Sequence, residues 1–193
     1  MINLYGVIII VLTKSGNIEA NFIARDFNLL GVDNKKYTLN EIKGSKGTLV
    51  CFICNHCPYV KEIIFDLVRE TNELKQYGIS SVAIMSNDVV NYPDDSFENM
   101  KEFSKRNNFN FPYVIDETQI VAKDFMALCT PDFFGFDADL KLHYRGRLNS
   151  AGKNQKYSET KNDLVDSMLS ICKNGIRPEE QSPSIGCSIK WKK

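Results

Sequence analysis

An α/β fold, with a central mixed β-sheet covered by helices on both faces, is what this chain predicts, and three observations predict it. Strand-like apolar runs alternate with segments of helical spacing. Two thiols, Cys54 and Cys57, sit two residues apart at a strand-to-helix turn. A Thr130-Pro131 pair precedes a late hairpin. Strands alternating with helices cannot bury both sheet faces unless helices pack on each.

The elements follow in order. Leu29 to Leu39 (LLGVDNKKYTL) reads as a hairpin with Asp33-Asn34 at its turn. Gly44 to Gly47 forms a polar turn into the strand Thr48–Ile53. From Tyr59 to Tyr77, apolar residues at Val60, Ile63, Ile64, Leu67, Val68 and Leu74 have helical spacing, and Gly78 stops the helix. Ile79–Met85 is a buried strand; Asn87–Asp95 is a loop holding Pro93. Ser96–Arg106 is a helix capped by Ser96 or Asp95. After the short strand Tyr113–Ile115, Asp116–Leu128 reads as a further helix capped by Asp116. Two strands, Phe133–Phe136 and Leu140–Tyr144, then flank the turn Asp137-Ala138-Asp139. Ser158–Cys172 is the last helix, ended by Gly175. This order, with a dithiol after the first central strand and a proline before the hairpin, is that of the thioredoxin-like fold class.

Three parts are expected: an N-terminal extension (1–20), a thioredoxin-like domain (21–176), and a C-terminal tail (177–193). The tail shows no regular pattern, but its Cys187, Ile189 and Trp191 suggest packing onto the domain. Gly6–Leu12 (GVIIIVL) is only seven residues, too short to span a bilayer, and its Val and Ile favour a strand. Equal numbers of basic and acidic residues, 24 of each, give zero net charge. That argues against a nucleic-acid or anionic-membrane partner, whose footprint is a basic excess. Three of the six cysteines cluster within seven residues of a chain with a credible core. Such clustering fits a redox or metal site in a reducing, cytoplasmic compartment better than disulfide staples.

Cys54 is the expected nucleophile, since partial positive charge at a helix N-terminus stabilises a thiolate. Cys57 is the expected resolving partner. His56 lies between them, and an imidazolium there would favour the thiolate and make the disulfide more oxidising. Thr130-Pro131 is expected to be cis and to offer its backbone to an extended substrate. Cys187 is a candidate additional resolving thiol. Cys51 extends the spacing to Cys51-x-x-Cys54-x-x-Cys57, which resembles part of an iron–sulfur run. No fourth ligand follows, and neither Cys129 nor Cys187 has ligand-pair spacing for zinc, so no metal is expected. Cys129, Cys172 and His143 read as structural. No Asp or Glu occurs between Glu41 and Glu62, so a general base for the dithiol must come from elsewhere.

The run Phe52-Ile53-Cys54-Asn55-His56-Cys57-Pro58-Tyr59-Val60-Lys61 resembles the signature of a thioredoxin-like redoxin family, the alkyl hydroperoxide reductase/thiol-specific antioxidant type, in its CNHCPYVK subgroup. Asp26-Phe27-Asn28-Leu29 resembles the family's opening strand, with Arg25 where a proline is usual. Thr130-Pro131-Asp132-Phe133-Phe134 resembles its cis-proline segment, and Pro183 to Trp191 (PSIGCSIKW) its tail. The resemblance spans Ile23 to Trp191.

It implies a thiol–disulfide oxidoreductase that carries a redox-active Cys54–Cys57 disulfide and needs no other cofactor. Its substrate would be a disulfide-bearing protein or a small thiol, and an upstream thiol reductase would recharge it. The alternative is a peroxiredoxin-like thiol peroxidase. That chemistry wants Pro-x-x-x-Thr/Ser-x-x-Cys, and here Val50 stands at the proline and Cys54 at the hydroxyl. Arg145 and Arg147 are the candidate cations for a thiolate. A third class is a redox-dead or metal-binding adaptor.

Overall fold

The structure is a computed structural model that describes residues 11–17, 22–150 and 160–193. The chain runs β1 (Leu12–Lys14), β2 (Asn28–Gly31), β3 (Lys36–Thr38), α1 (Leu39–Ile42), β4 (Gly47–Phe52), α2 (Pro58–Gln76) and β5 (Ile79–Met85). It continues through α3 (Phe97–Arg106), β6 (Tyr113–Ile115), α4 (Ile120–Asp124), β7 (Cys129–Thr130), β8 (Asp132–Asp137), β9 (Leu142–Gly146), α5 (Asp163–Asn174) and β10 (Ile185–Ser188). Seven strands form one mixed sheet in the order β3-β2-β6-β5-β4-β8-β9. Its centre, β4-β5-β6, is parallel, and β8 closes antiparallel on β4. Of the predicted strand Gly6–Leu12, Gly6 to Ile10 lie outside the described residues, and Leu12 opens β1.

Period-two alternation in β4 sorts its side chains between two cores. Leu49 and Cys51, with Ile53 just beyond, face Val60, Ile64 and Leu67 of α2, Met100 of α3, and Leu164 and Met168 of α5. Val50 and Phe52 face Leu39 of α1, Val121 of α4 and Phe125. Phe125 meets the rings of Phe22, Phe52, Phe134 and Phe136 at 5.7 to 5.9 Å, a well-filled aromatic cluster. Full burial of each such side chain is worth roughly 1.5–3 kcal/mol. With both faces of β4 fully buried, its C-terminal end delivers Cys54 and Cys57 from a rigid platform.

Two expectations need correction. The helix expected over Asp116–Leu128 shrinks to Ile120–Asp124. Asp116 does not cap it; its buried carboxylate instead accepts the Ala122 N–H and the Ser86 hydroxyl. Gln119 and Met126, at φ 62° and 53°, break the helical path at both ends. The chain can then reverse and lay Cys129–Thr130 against the tail. The tail is also more regular than its sequence suggests. β10 sits between β1 and β7 in a second, three-stranded sheet.

Candidate active site

Cys57 is the N-cap of the 19-residue helix α2, with Pro58 at the first helical position, where a missing N–H costs nothing. Its sulfur lies at the centre of the site. Cys187 Sγ is 3.0 Å away, and the Thr130 carbonyl is 3.1 Å away. The Cys54 thiol hydrogen-bonds it, and Cys54 Sγ lies 3.3 Å from the Thr130 hydroxyl. The Thr130–Pro131 bond is cis.

The three sulfurs differ in acidity. A hydrogen bond from Cys54 pulls Cys57 down; burial opposes this, and the Cys187 thiol with the backbone N–H groups of Cys187 and Val60 adds to it. The result is about 5. These donors outweigh the Thr130 carbonyl, which faces the sulfur and favours its protonated form. Burial pushes Cys54 well above the ordinary thiol range, reinforced by its hydrogen bond to Cys57 and the charge of Asp95. Cys187 is pushed up to about 12, first by burial and then by its bond to Cys57. Cys57 is thus the most readily ionised of the three sulfurs, and none of the three is more than 2% exposed.

Asp95 supplies the carboxylate that the strand before the dithiol lacks. It belongs to the short 3₁₀ turn Pro93–Asp95 and is fully buried. Its Oδ1 accepts the N–H groups of Asn55 and His56, and its Oδ2 lies 2.6 Å from His56 Nδ1 and accepts from Asn87 Nδ2. The His56 ring stacks on Tyr92 at 5.9 Å and 13°. A ring nitrogen of His56, an oxygen of Asp95 and Cys54 Sγ all lie within 4.8 Å of one another. These three could hold a metal ion; in this structure His56 and Asp95 are hydrogen-bonded to each other beside the Cys54 thiol. Buried Tyr113 donates to Asn55 Oδ1 and fixes the turn from the other side. A second buried carboxylate, Glu70, is raised to about 8 by burial. It stands thirteen residues beyond Cys57 on α2, about 20 Å by helical rise, too far to serve the dithiol.

The remaining sequence candidates fall as follows. Thr130 is brought to the dithiol, but its backbone already pairs with Cys187 of the tail. Arg145 lies 3.0 Å from buried Asp132, donates to the Met126 carbonyl, and so clamps the segment after Pro131; Arg147 pairs with Asp163. Both expected thiolate cations are engaged elsewhere. Cys51 and Cys129 are buried and their thiols pushed up by burial, as inert core groups. His143 pairs with Asp137 at 2.8 Å. Sequence reading missed Asp95 as a site residue, offering it only as one of two candidate helix caps; of the two, Ser96 is the cap. Among the described residues no helix is long and apolar enough to cross a membrane.

The AhpC/TSA family model matches residues 21–145. Two solved structures are similar over nearly the whole chain. An uncharacterized conserved protein from Geobacillus kaustophilus is 43% identical, with TM-score 0.89, over 94% of this chain and 97% of that one. A hypothetical protein from Sinorhizobium meliloti is 36% identical, with TM-score 0.88, over 93% and 98%. The thioredoxin domain of a thiol-disulfide oxidoreductase from Bacteroides vulgatus, at 14% identity and TM-score 0.62 over 81% and 100%, shares the fold. A search of the curated proteins gives no match.

Proposed function

Because the chain belongs to the AhpC/TSA family, a redoxin family of thioredoxin-like fold, we propose that it is a thiol–disulfide oxidoreductase working through Cys57 and Cys54. The observation that carries this reading is the placement of Cys57. It is the N-cap sulfur of a long helix, with the Cys187 sulfur at 3.0 Å, the Thr130 carbonyl at 3.1 Å and the Cys54 thiol all gathered on it. The roles expected from the sequence are therefore exchanged: Cys57 attacks and Cys54 resolves.

Cys57 thiolate attacks one sulfur of a substrate disulfide, forming a mixed disulfide and expelling the first substrate thiolate. Cys54 then gives up its proton and attacks the Cys57 sulfur, expelling the second. The products are two substrate thiols and a Cys54–Cys57 disulfide, a two-electron transfer. His56, anchored by Asp95 and with a ring nitrogen within 4.8 Å of the Cys54 sulfur, is the carrier for the Cys54 proton. The substrate is a disulfide-bearing protein or the disulfide of a small thiol, an upstream thiol reductase reverses the cycle, and the cycle as proposed calls for no metal. The cytoplasm, kept reducing by glutathione and thioredoxin, suits a dithiol that must be recharged. Hydroperoxide reduction is the weaker reading, since Cys54 fills the hydroxyl position and both candidate arginines are paired elsewhere.

The ultraviolet absorbance of the thiolate tests the assignment without needing reagent access to a buried sulfur. Cys57 is depressed, so its ionised form is complete above the ordinary thiol range and persists down to about 5. One thiolate is expected to titrate near pH 5 and to vanish in Cys57→Ser but not in Cys54→Ser. A single transition near the ordinary thiol value of about 8.5 would rule the assignment out.

A further inference from the structure

The strand position beside Thr130–Pro131 is the one where an extended substrate would add to the fold, because main-chain pairing there is open unless a strand fills it. In this chain it is filled from within. β10 pairs antiparallel with β7, with Cys187 opposite Thr130 and Ser188 opposite Cys129. The other edge of β10 is taken by β1, with Leu12 opposite Cys187 and Thr13 opposite Gly186. Both flanks are tied down. On one side the Ser184 hydroxyl donates to the Gly146 carbonyl, and the Ser184 N–H donates to Ser15 Oγ. On the other side the Lys190 N–H donates to Asn87 Oδ1, and the Lys190 carbonyl accepts from Gln119 Nε2. Asn87 also donates to Asp95, so the tail and the proton-carrying pair share an anchor.

The strand carries a thiol to the place where a substrate sulfur would arrive. Cys187 Sγ stands 3.0 Å from Cys57 Sγ, against about 2.05 Å in a formed disulfide, so a shift of about 1 Å closes the bond. Gly186 permits the close approach, since a Cβ built there would collide with the Thr130 carbonyl.

We propose that β10 is a tethered substrate-like strand and Cys187 a third redox thiol, so that oxidised Cys57 is held in either of two disulfides, with Cys54 or with Cys187. The proposal rests on the dithiol reading above. With a low-molecular-weight disulfide as oxidant, Cys57 thiolate forms a mixed disulfide and releases one small thiolate. Cys187 then loses its proton to that thiolate and attacks the Cys57 sulfur, expelling the second small thiolate. Two protein thiols are oxidised and one external disulfide is reduced. Cys54 afterwards displaces Cys187 from Cys57, moving the disulfide inward and returning Cys187 as thiol.

The test treats reduced full-length Cys54→Ala and Cys187→Ala with oxidised glutathione, quenches with acid, alkylates, and maps the cysteines by mass spectrometry. Cys54→Ala is expected to give a Cys57–Cys187 disulfide exceeding the Cys57–glutathione adduct by about tenfold or more, as a neighbouring tethered thiol outcompetes a dilute one. Cys187→Ala is expected to close Cys54–Cys57. If Cys54→Ala instead ends as the glutathione adduct with Cys187 free, while Cys187→Ala still closes its pair, the third-thiol proposal fails and the dithiol reading stands. If Cys187→Ala fails to close Cys54–Cys57 while Cys54→Ala still joins Cys57 to Cys187, the dithiol reading falls, and the two-disulfide proposal that rests on it falls with it. If neither variant forms a Cys57 disulfide, both fall. Cys54→Ser provides the same readout should the alanine disturb the buried turn.

Discussion

Cys57→Ser is expected to abolish disulfide exchange, with a loss of about 10³-fold or more, while Cys54→Ser still oxidises Cys57 on substrate and ends mainly as the Cys57–Cys187 disulfide. The reason is that both sulfur–sulfur contacts in the site converge on Cys57. Cys54 and Cys187 hydrogen-bond it, and α2 begins at it. At pH 7 an ordinary thiol of pKa about 8.5 is ionised to only about 3%. Cys57, held near about 5, is almost wholly thiolate. That is roughly a thirtyfold gain in nucleophile, partly offset because nucleophilicity falls with pKa. The neighbours cannot substitute for it, because burial holds both in the protonated form. The check is a stopped exchange assay with a small disulfide, followed by mapping of the trapped species. Undiminished exchange in Cys57→Ser would transfer the nucleophile's role to Cys54.

Gly186→Ala carries the second large effect. Its Cβ would meet the carbonyl oxygen and carbon of Thr130 and come within 3.0 Å of Pro131 Cδ. Two of these are backbone atoms of a segment already fixed by Arg145 and Asp132, so the strand that must move is β10. Overpacking of this kind costs about 1–3 kcal/mol. The displacement also lifts Cys187 away from Cys57. A lower denaturant midpoint is expected, together with loss of most of the Cys57–Cys187 disulfide and retention of Cys54–Cys57. Unchanged trapping of Cys187 would mean that the tail tolerates the shift.

Much of this was legible from residue order. β4, β5, β6 and α2 came from local apolar patterning, because each is long or deeply buried enough for its own sequence to decide its form. Those same elements place the dithiol, so Cys54, His56 and Cys57 were found together. Two site features depend on distant partners; Cys187 was a candidate from its sequence, but Asp95 and the strand that carries Cys187 left no local signal. Asp95 reaches His56 from 39 residues away, and in sequence it is only one of several polar residues before a helix. Cys187 is 130 residues from Cys57, and β10 gains its regularity by pairing with two short, distant strands, β1 and β7. α4 failed for the opposite reason. Its spacing is helical through Leu128, but the turn at Met126, needed to bring Thr130 to the dithiol, overrides it.

The most direct measurement is a glutathione redox titration of the intact chain, quenched by alkylation, with every oxidised cysteine mapped by mass spectrometry. The account predicts a reversible two-electron couple in which each oxidised molecule holds Cys57 in a disulfide, mainly with Cys54 and with Cys187 as the minor partner. Oxidised molecules in which Cys57 remains a free, alkylated thiol, or a Cys54–Cys57 pair that stays reduced throughout, would contradict it.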